Sequence, residues 1–164
     1  MLKRYLLGNR ETVAGTVYGT IVVLAVLAAG AHTYRDHLWR LDAVAATSAV
    51  VLWLAHVYSH ALGESLKEER RLDAREFAAI ARREYAVVLA AVLPVVILAV
   101  GAAGVLSADA AIWAAFGAGV VTLGAQGVRY ARLEKLSLPA SIVSVTLNLA
   151  LGLALVAAEV VVSH

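Results

Sequence analysis

An all-α bundle of five membrane-spanning helices is the fold this sequence predicts, on three observations. The first is composition. Of 164 residues, 62% are hydrophobic and 16% charged, whereas soluble domains run nearer half apolar and a quarter charged. The second is clustering. The apolar residues gather in five runs, 13–31, 43–63, 85–106, 110–128 and 138–162, each near the ~20 helical residues that cross a hydrocarbon core. None has the period-two alternation of a barrel strand, so each run must satisfy its backbone as a helix. The third is charge placement. Lys3, Arg4 and Arg10 precede the first run, Lys67, Arg70, Arg71, Arg75, Arg82 and Arg83 follow the second, and Arg129, Arg132 and Lys135 follow the fourth. Only Arg35 and Arg40 lie on the other side, with Asp109 between the third and fourth runs. Basic loops stay inside, so the N-terminus is expected in the cytoplasm and the C-terminus outside. The whole chain reads as a single multi-pass domain of the plasma membrane, with the lipid bilayer as its first partner.

Taken in order, Met1–Thr12 is a basic lead expected at the interface. Ala28-Ala29-Gly30-Ala31 resembles a signal-peptide cleavage site, but the apolar run before it exceeds the usual core of such a peptide, which favours a retained span. Gly15 and Gly19 form a GxxxG pair that admits another helix closely, either within the subunit or as a dimer seam. Thr16 and Thr20 share that region and can bond back to their own helix. The loop from His32 to Asp42 carries Tyr34 and Trp39, ordinary interfacial anchors. The second run passes without a break into 64–84, where six acids alternate with six bases. That segment contains no Gly or Pro, and Leu66, Leu72, Phe77 and Ile80 leave a thin apolar stripe. It is expected as a charged helical extension of the second span into the cytoplasm, with room for a bend before the third span, laced by i,i+4 ion pairs and available to a cytoplasmic protein partner. The third run holds Pro94, which kinks helices. The fourth is rich in glycine and ends in Gln126 and Arg129. The fifth opens at Ser137-Leu-Pro139, since proline suits a first turn, and carries Ser141, Ser144, Thr146 and Asn148, with Glu159 near the outer surface.

The residues with chemistry sit on the second span. His56, His60 and Glu64 are spaced i, i+4, i+8 and share one helix face. At ~1.5 Å rise per residue, Glu64 falls at the cytoplasmic boundary, with His60 and then His56 above it. Tyr18 of the first span reaches the level of His56, and Gln126 of the fourth that of His60. Ionisable groups inside a span mark a pathway or a binding site by default. Imidazole and carboxylate together suit a divalent transition metal such as iron, manganese or zinc. The expected site is therefore His56, His60 and Glu64 as metal ligands, with Tyr18, Gln126 and Asn148 as pathway or supporting groups. Glu69, Asp73 and Glu76 would share a second, cation-collecting face, although each has a basic neighbour that neutralises it. Two alternatives use the same chain differently: a proton-linked channel or pH sensor built on the histidines, and a non-transporting scaffold acting through 64–84. No enzyme is expected. There is no nucleophile–base pattern or phosphate-binding glycine loop, and His56-x-x-x-His60 lacks the glutamate of a metalloprotease helix. Cysteine is absent, which removes disulfides and thiolate metal sites, and the interleaved charges do not form a nucleic-acid patch. No permanently bound cofactor is expected; a divalent ion would be the cargo.

Two stretches resemble the vacuolar iron transporter family, with its nodulin-like and bacterial members. Gly15-Thr-Val-Tyr18-Gly19-Thr-Ile-Val-Val is similar to the family's first-span pattern, in which an aspartate precedes a glycine. Ser59-His60-Ala-Leu-Gly63-Glu64-Ser resembles its second-span pattern Ser-Met-Ala-x-Gly-Glu-Tyr. The resemblance implies five spans, a homodimer, and a metal path near the subunit interface lined by the first two helices, with Glu64 as the carried-over acid. Tyr18 stands where the family has its aspartate and His60 where it has methionine. The segment after the second span is also shorter than the family's three-helix metal-binding domain.

Overall fold

The computed structural model describes residues 10–162, all helical apart from short turns. The basic lead expected over Met1–Thr12 lies almost wholly outside the described residues, as does the side chain of Glu159. Six helices follow one another: α1 Arg10–Gly30, α2 Leu38–Glu68, α3 Ala74–Arg83, α4 Ala86–Ala102, α5 Ala108–Leu133 and α6 Leu138–Val162. Four of them (α1, α2, α5 and α6) are long and apolar enough to cross a membrane, and α4 makes a fifth candidate as one arm of a bent pair with α3. These five overlap the five apolar runs, although α4 ends at Ala102, short of the expected 106.

The helices assemble around α1, which packs against α2, α4, α5 and α6. Val23, Leu24 and Leu27 of α1 meet Leu41, Ala45 and Ala49 of α2, Ala91 and Leu98 of α4, and Ala115, Phe116 and Leu123 of α5 in one buried core. Small residues set the spacing. A Cβ at Gly15 would lie 3.2 Å from Ala86 Cβ, and one at Gly19 would lie 3.0 Å from Ala90 Cβ and 3.1 Å from the Val87 carbonyl carbon. The GxxxG pair is thus covered by α4 of the same chain, so it serves packing inside the subunit rather than a dimer seam. Around this core, Val50, Val51, Leu54, Val92, Leu93, Val96, Ile142, Val143 and Leu147 stay exposed. So large an apolar belt suits lipid, not water.

At one end of the bundle, Arg35 pairs with Asp109 in the first turn of α5, where an acid also complements the helix dipole. Ser107 caps that helix by accepting from Ala110 N–H at 3.3 Å. Gly104 turns the chain between α4 and α5 with φ +80°, a conformation glycine adopts without a Cβ penalty.

The charged segment bends before the third span, but it is not one extension of the second helix. α2 does run past Gly63, but it stops at Glu68. Glu69 takes a left-handed φ of 52° and its N–H bonds to the Ser65 carbonyl oxygen; Arg70 N–H reaches the same oxygen at 3.2 Å. Such paired bonds end helices. α3 then starts under a capping box. The Asp73 carboxylate accepts from Arg75 N–H at 2.8 Å and Glu76 N–H at 2.7 Å, while Glu76 accepts from Asp73 N–H at 2.8 Å. Each orphan donor so satisfied favours a new helix start. α3 folds back on α2, burying Ile80 against Val57 and Ala61, with Trp53, Leu72 and Ala81 packed around them. Burying a side chain such as Ile80 stabilises by about 1.5–3 kcal/mol relative to exposure in water. Trp53 Nε1 donates to the Ala81 carbonyl oxygen at 3.2 Å. Because α4 continues from α3 with a 49° bend, α2 and the α3–α4 pair form one long antiparallel hairpin.

Candidate functional site: a histidine string at the α3–α4 bend

α2 presents His56, His60 and Glu64 along one face, and the hairpin sets the α3–α4 junction opposite them. Glu84 ends α3, its N–H bonded to the Ile80 carbonyl oxygen at 3.0 Å, and its side chain is only 12% exposed. His60 Nδ1 lies 2.8 Å from Glu84 Oε1. Arg83, the residue before it, places Nη2 3.2 Å from Glu64 Oε1 and Nε 4.0 Å from Glu84 Oε1. One turn deeper, the His56 ring meets His60 edge-on at 5.6 Å between centroids and lies 4.8 Å from the Tyr18 ring on α1. The result is a string from Tyr18 through His56 and His60 to Glu84, with Arg83 and Glu64 beside its outer end.

The charges are arranged in alternation: His60 and Arg83 face Glu84 and Glu64. Exposed pairs of this kind contribute about 0–1 kcal/mol, which describes Arg83–Glu64. Glu84 differs because it is nearly enclosed. An unpaired carboxylate there is costly, so His60 and Arg83 are what make its burial tolerable. Protonating His60 turns a hydrogen bond into a charge-assisted one, the stronger kind.

The other expected residues fall elsewhere. Gln126 lies on α5 with its Oε1 buried and without a hydrogen-bond partner. Asn148 on α6 donates to the Ser144 carbonyl oxygen at 2.9 Å, and Ser144 Oγ in turn reaches the Gly127 carbonyl oxygen at 3.4 Å. Asn148 therefore belongs to the α5–α6 contact and Gln126 to α5, whereas the histidines belong to the α2 hairpin and α1. Glu69, Asp73 and Glu76 do not form a common helix face, because the helix is interrupted between them. Asp73 is a cap, and Glu76 accepts from Arg70 Nη1 at 3.0 Å. The Arg70 guanidinium, helped by the Asp73 N–H, holds the Glu76 carboxyl down to about 2, and the same contact raises the Arg70 pKa. Among the described residues, no three of His, Asp and Glu converge as metal ligands would; Glu64 is turned to Arg83. Nor does the string continue inward. Thr20 is buried, but its hydroxyl bonds to the Thr16 carbonyl oxygen at 2.8 Å, and beyond it lie Val23, Leu24, Leu27, Leu41, Ala45 and Ala49.

Glu84 and Arg83 are the partners that reading the sequence for helix faces misses. A signal for them exists: the Asp73-x-x-Glu76 box marks a helix start, hence a turn before it. Folding the chain about Leu72 brings together His60 and Glu84, each twelve residues away.

Compared with protein-family models, curated proteins and solved structures, the chain matches none. The likeness to vacuolar iron transporters rests on the layout of the apolar runs and, in residues, on the two short stretches.

Proposed function

We propose that this is a pH-responsive membrane protein whose basic end faces the cytoplasm and whose His60–Glu84 contact couples proton binding to the docking of α3 on α2. The observation that carries the reading is the 2.8 Å contact between His60 Nδ1 and a nearly enclosed carboxylate, placed at the bend between α3 and α4. Imidazoles change charge between about pH 5 and 8. The groups facing His60 are His56 and Glu64 on its own helix, and Arg83 and Glu84 across the hairpin; Tyr18 on α1 faces His56. When His60 carries a proton, Glu84 holds it as an ion pair and the hairpin closes on it; when it does not, the clamp weakens and Arg83 is left to pair Glu64 and Glu84. The apolar core beyond Tyr18 favours a sensor at one side over a conducting path across the membrane.

The metal-transport reading draws on the same imidazoles. It requires Glu64 to leave Arg83 and join the histidines, whereas proton binding requires no rearrangement. A homodimer, as the family resemblance implies, would use a face other than Gly15 and Gly19.

Protein reconstituted in liposomes separates these readings. Trp53, bonded to Ala81, reports α3 docking directly once Trp39 and Trp113 are replaced by Phe. Followed from pH 5 to 8, its emission is expected to change, and to lose that change in His60→Gln and in Glu84→Gln, with no proton or metal flux. Metal-dependent flux abolished by the His56→Ala/His60→Ala double variant would overturn the proposal in favour of transport. A flat Trp53 response in the parent protein would overturn it outright.

A further inference from the structure

We propose that the α5–α6 turn binds an anionic phospholipid, with its phosphate on Arg132 and Lys135 and an acyl chain in the groove above them. A groove of about 580 Å³ opens between the end of α5 and the start of α6. Its walls are mostly apolar, with Val128, Leu136, Ile142 and Val145 among them, and both Arg132 and Lys135 lie on its lining. α6 is the least buried of the span-length helices, with only 6% of its apolar window covered, so the groove opens sideways onto the lipid-facing belt. Apolar walls rimmed by two cations at a span terminus match a molecule with a hydrocarbon chain and an anionic head. Glu134 is the acid in the same turn, one residue from Lys135.

The turn supplies a second, independent observation. It closes as a helix-ending motif, Leu136 N–H bonding the Ala131 carbonyl oxygen at 3.0 Å and Lys135 N–H that of Arg132 at 3.3 Å. The left-handed position of that motif usually belongs to glycine, yet here Lys135 occupies it with φ 51°. A strained residue is reason to look for a use of its side chain. Held in that conformation, Lys135 sits on the rim of the groove beside Arg132. Basic residues near a membrane surface attract anionic lipid with an effect of about fivefold each, or about thirtyfold for the pair. This inference needs only that α5 and α6 span the membrane, and it stands or falls apart from the histidine string.

The test is native mass spectrometry of the detergent-solubilised protein given equal amounts of phosphatidylglycerol and phosphatidylcholine. Phosphatidylglycerol is expected to be retained about thirtyfold better, and Arg132→Gln/Lys135→Gln to erase the preference. Lys135→Gly is the sharper variant: it relieves the backbone while removing the cation, so the protein should melt no lower yet bind phosphatidylglycerol about fivefold less. Ile142→Trp, which fills the groove and keeps both cations, should lower retention of phosphatidylglycerol. Glycerol phosphate, the head without the chains, should fail to displace the lipid. Equal retention of the two lipids, an unchanged preference in Lys135→Gly, or displacement by glycerol phosphate would each overturn the proposal. So would a solution dimer that covers α6 and excludes lipid from it.

Discussion

Replacing Gly19 by alanine places a methyl group where α1 and α4 approach most closely. The new Cβ would overlap the Val87 carbonyl oxygen and lie 3.1 Å from its carbon and 3.0 Å from Ala90 Cβ. The obstruction is largely backbone, which cannot rotate away, so α1 must back off from α4. Overpacking of this kind costs about 1–3 kcal/mol, partly offset by the better helix propensity of alanine, at most ~1 kcal/mol. The expected net loss is about 1–2 kcal/mol, or roughly a fivefold to thirtyfold fall in the folded-to-unfolded ratio. Gly117→Ala is the internal control, because a Cβ there meets nothing within 4 Å; it should be neutral or stabilise by up to ~1 kcal/mol. Equilibrium unfolding in mixed detergent micelles, titrated with a denaturing detergent, reads both. A gap of about 2 kcal/mol between two chemically identical substitutions supports the packing of α1 on α4. Equal stabilities would refute it, and a shift in oligomeric state with unchanged monomer stability would restore the dimer-seam reading.

Two further outcomes concern the hairpin. Glu76 is held at about 2 against an ordinary 4.5, so its contribution is full above pH 4.5 and is lost as pH falls toward 2. Trp53 emission should therefore change over that acid range, and in Arg70→Gln the change should move up toward the ordinary carboxylate range; an unmoved transition would detach Arg70 from the turn. Asp73→Ala removes the cap of α3, which costs about 1 kcal/mol, and should show as faster hydrogen exchange of the α3 amides with α5 unaffected. Equal exchange in parent and variant would mean that the capping box does not hold the start of α3.

The helices are legible in the sequence because a membrane span must be both apolar and self-satisfied, and few other patterns meet both demands. The run 138–162 corresponds to α6 at both ends. The fold-back at Glu69–Asp73 is harder to read, because a segment without Gly or Pro looks continuous and a left-handed glutamate leaves no compositional mark. Its one local trace is the Asp73–Glu76 box. The i, i+4, i+8 spacing rightly sets His56, His60 and Glu64 on one face, but periodicity within a helix cannot reveal what lies opposite it. Glu84 and Arg83 arrive through tertiary packing, and they take the carboxylate of Glu64 and the imidazole of His60 as partners. Gly15 and Gly19 show the same limit: the spacing announces a close neighbour without saying whether it is α4 or a second subunit.

A proton on His60 is expected to tighten α3 onto α2. The chain has no cysteine, so two introduced at the exposed positions Lys67 and Ala79 carry spin labels without background. Their distance distribution, measured in lipid nanodiscs from pH 5.5 to 8, should be narrow at the acid end and broaden as pH rises, and it should become insensitive to pH in both His60→Gln and Glu84→Gln. A parent protein whose distribution stays the same across that range would mean that His60 does not clamp α3 to α2.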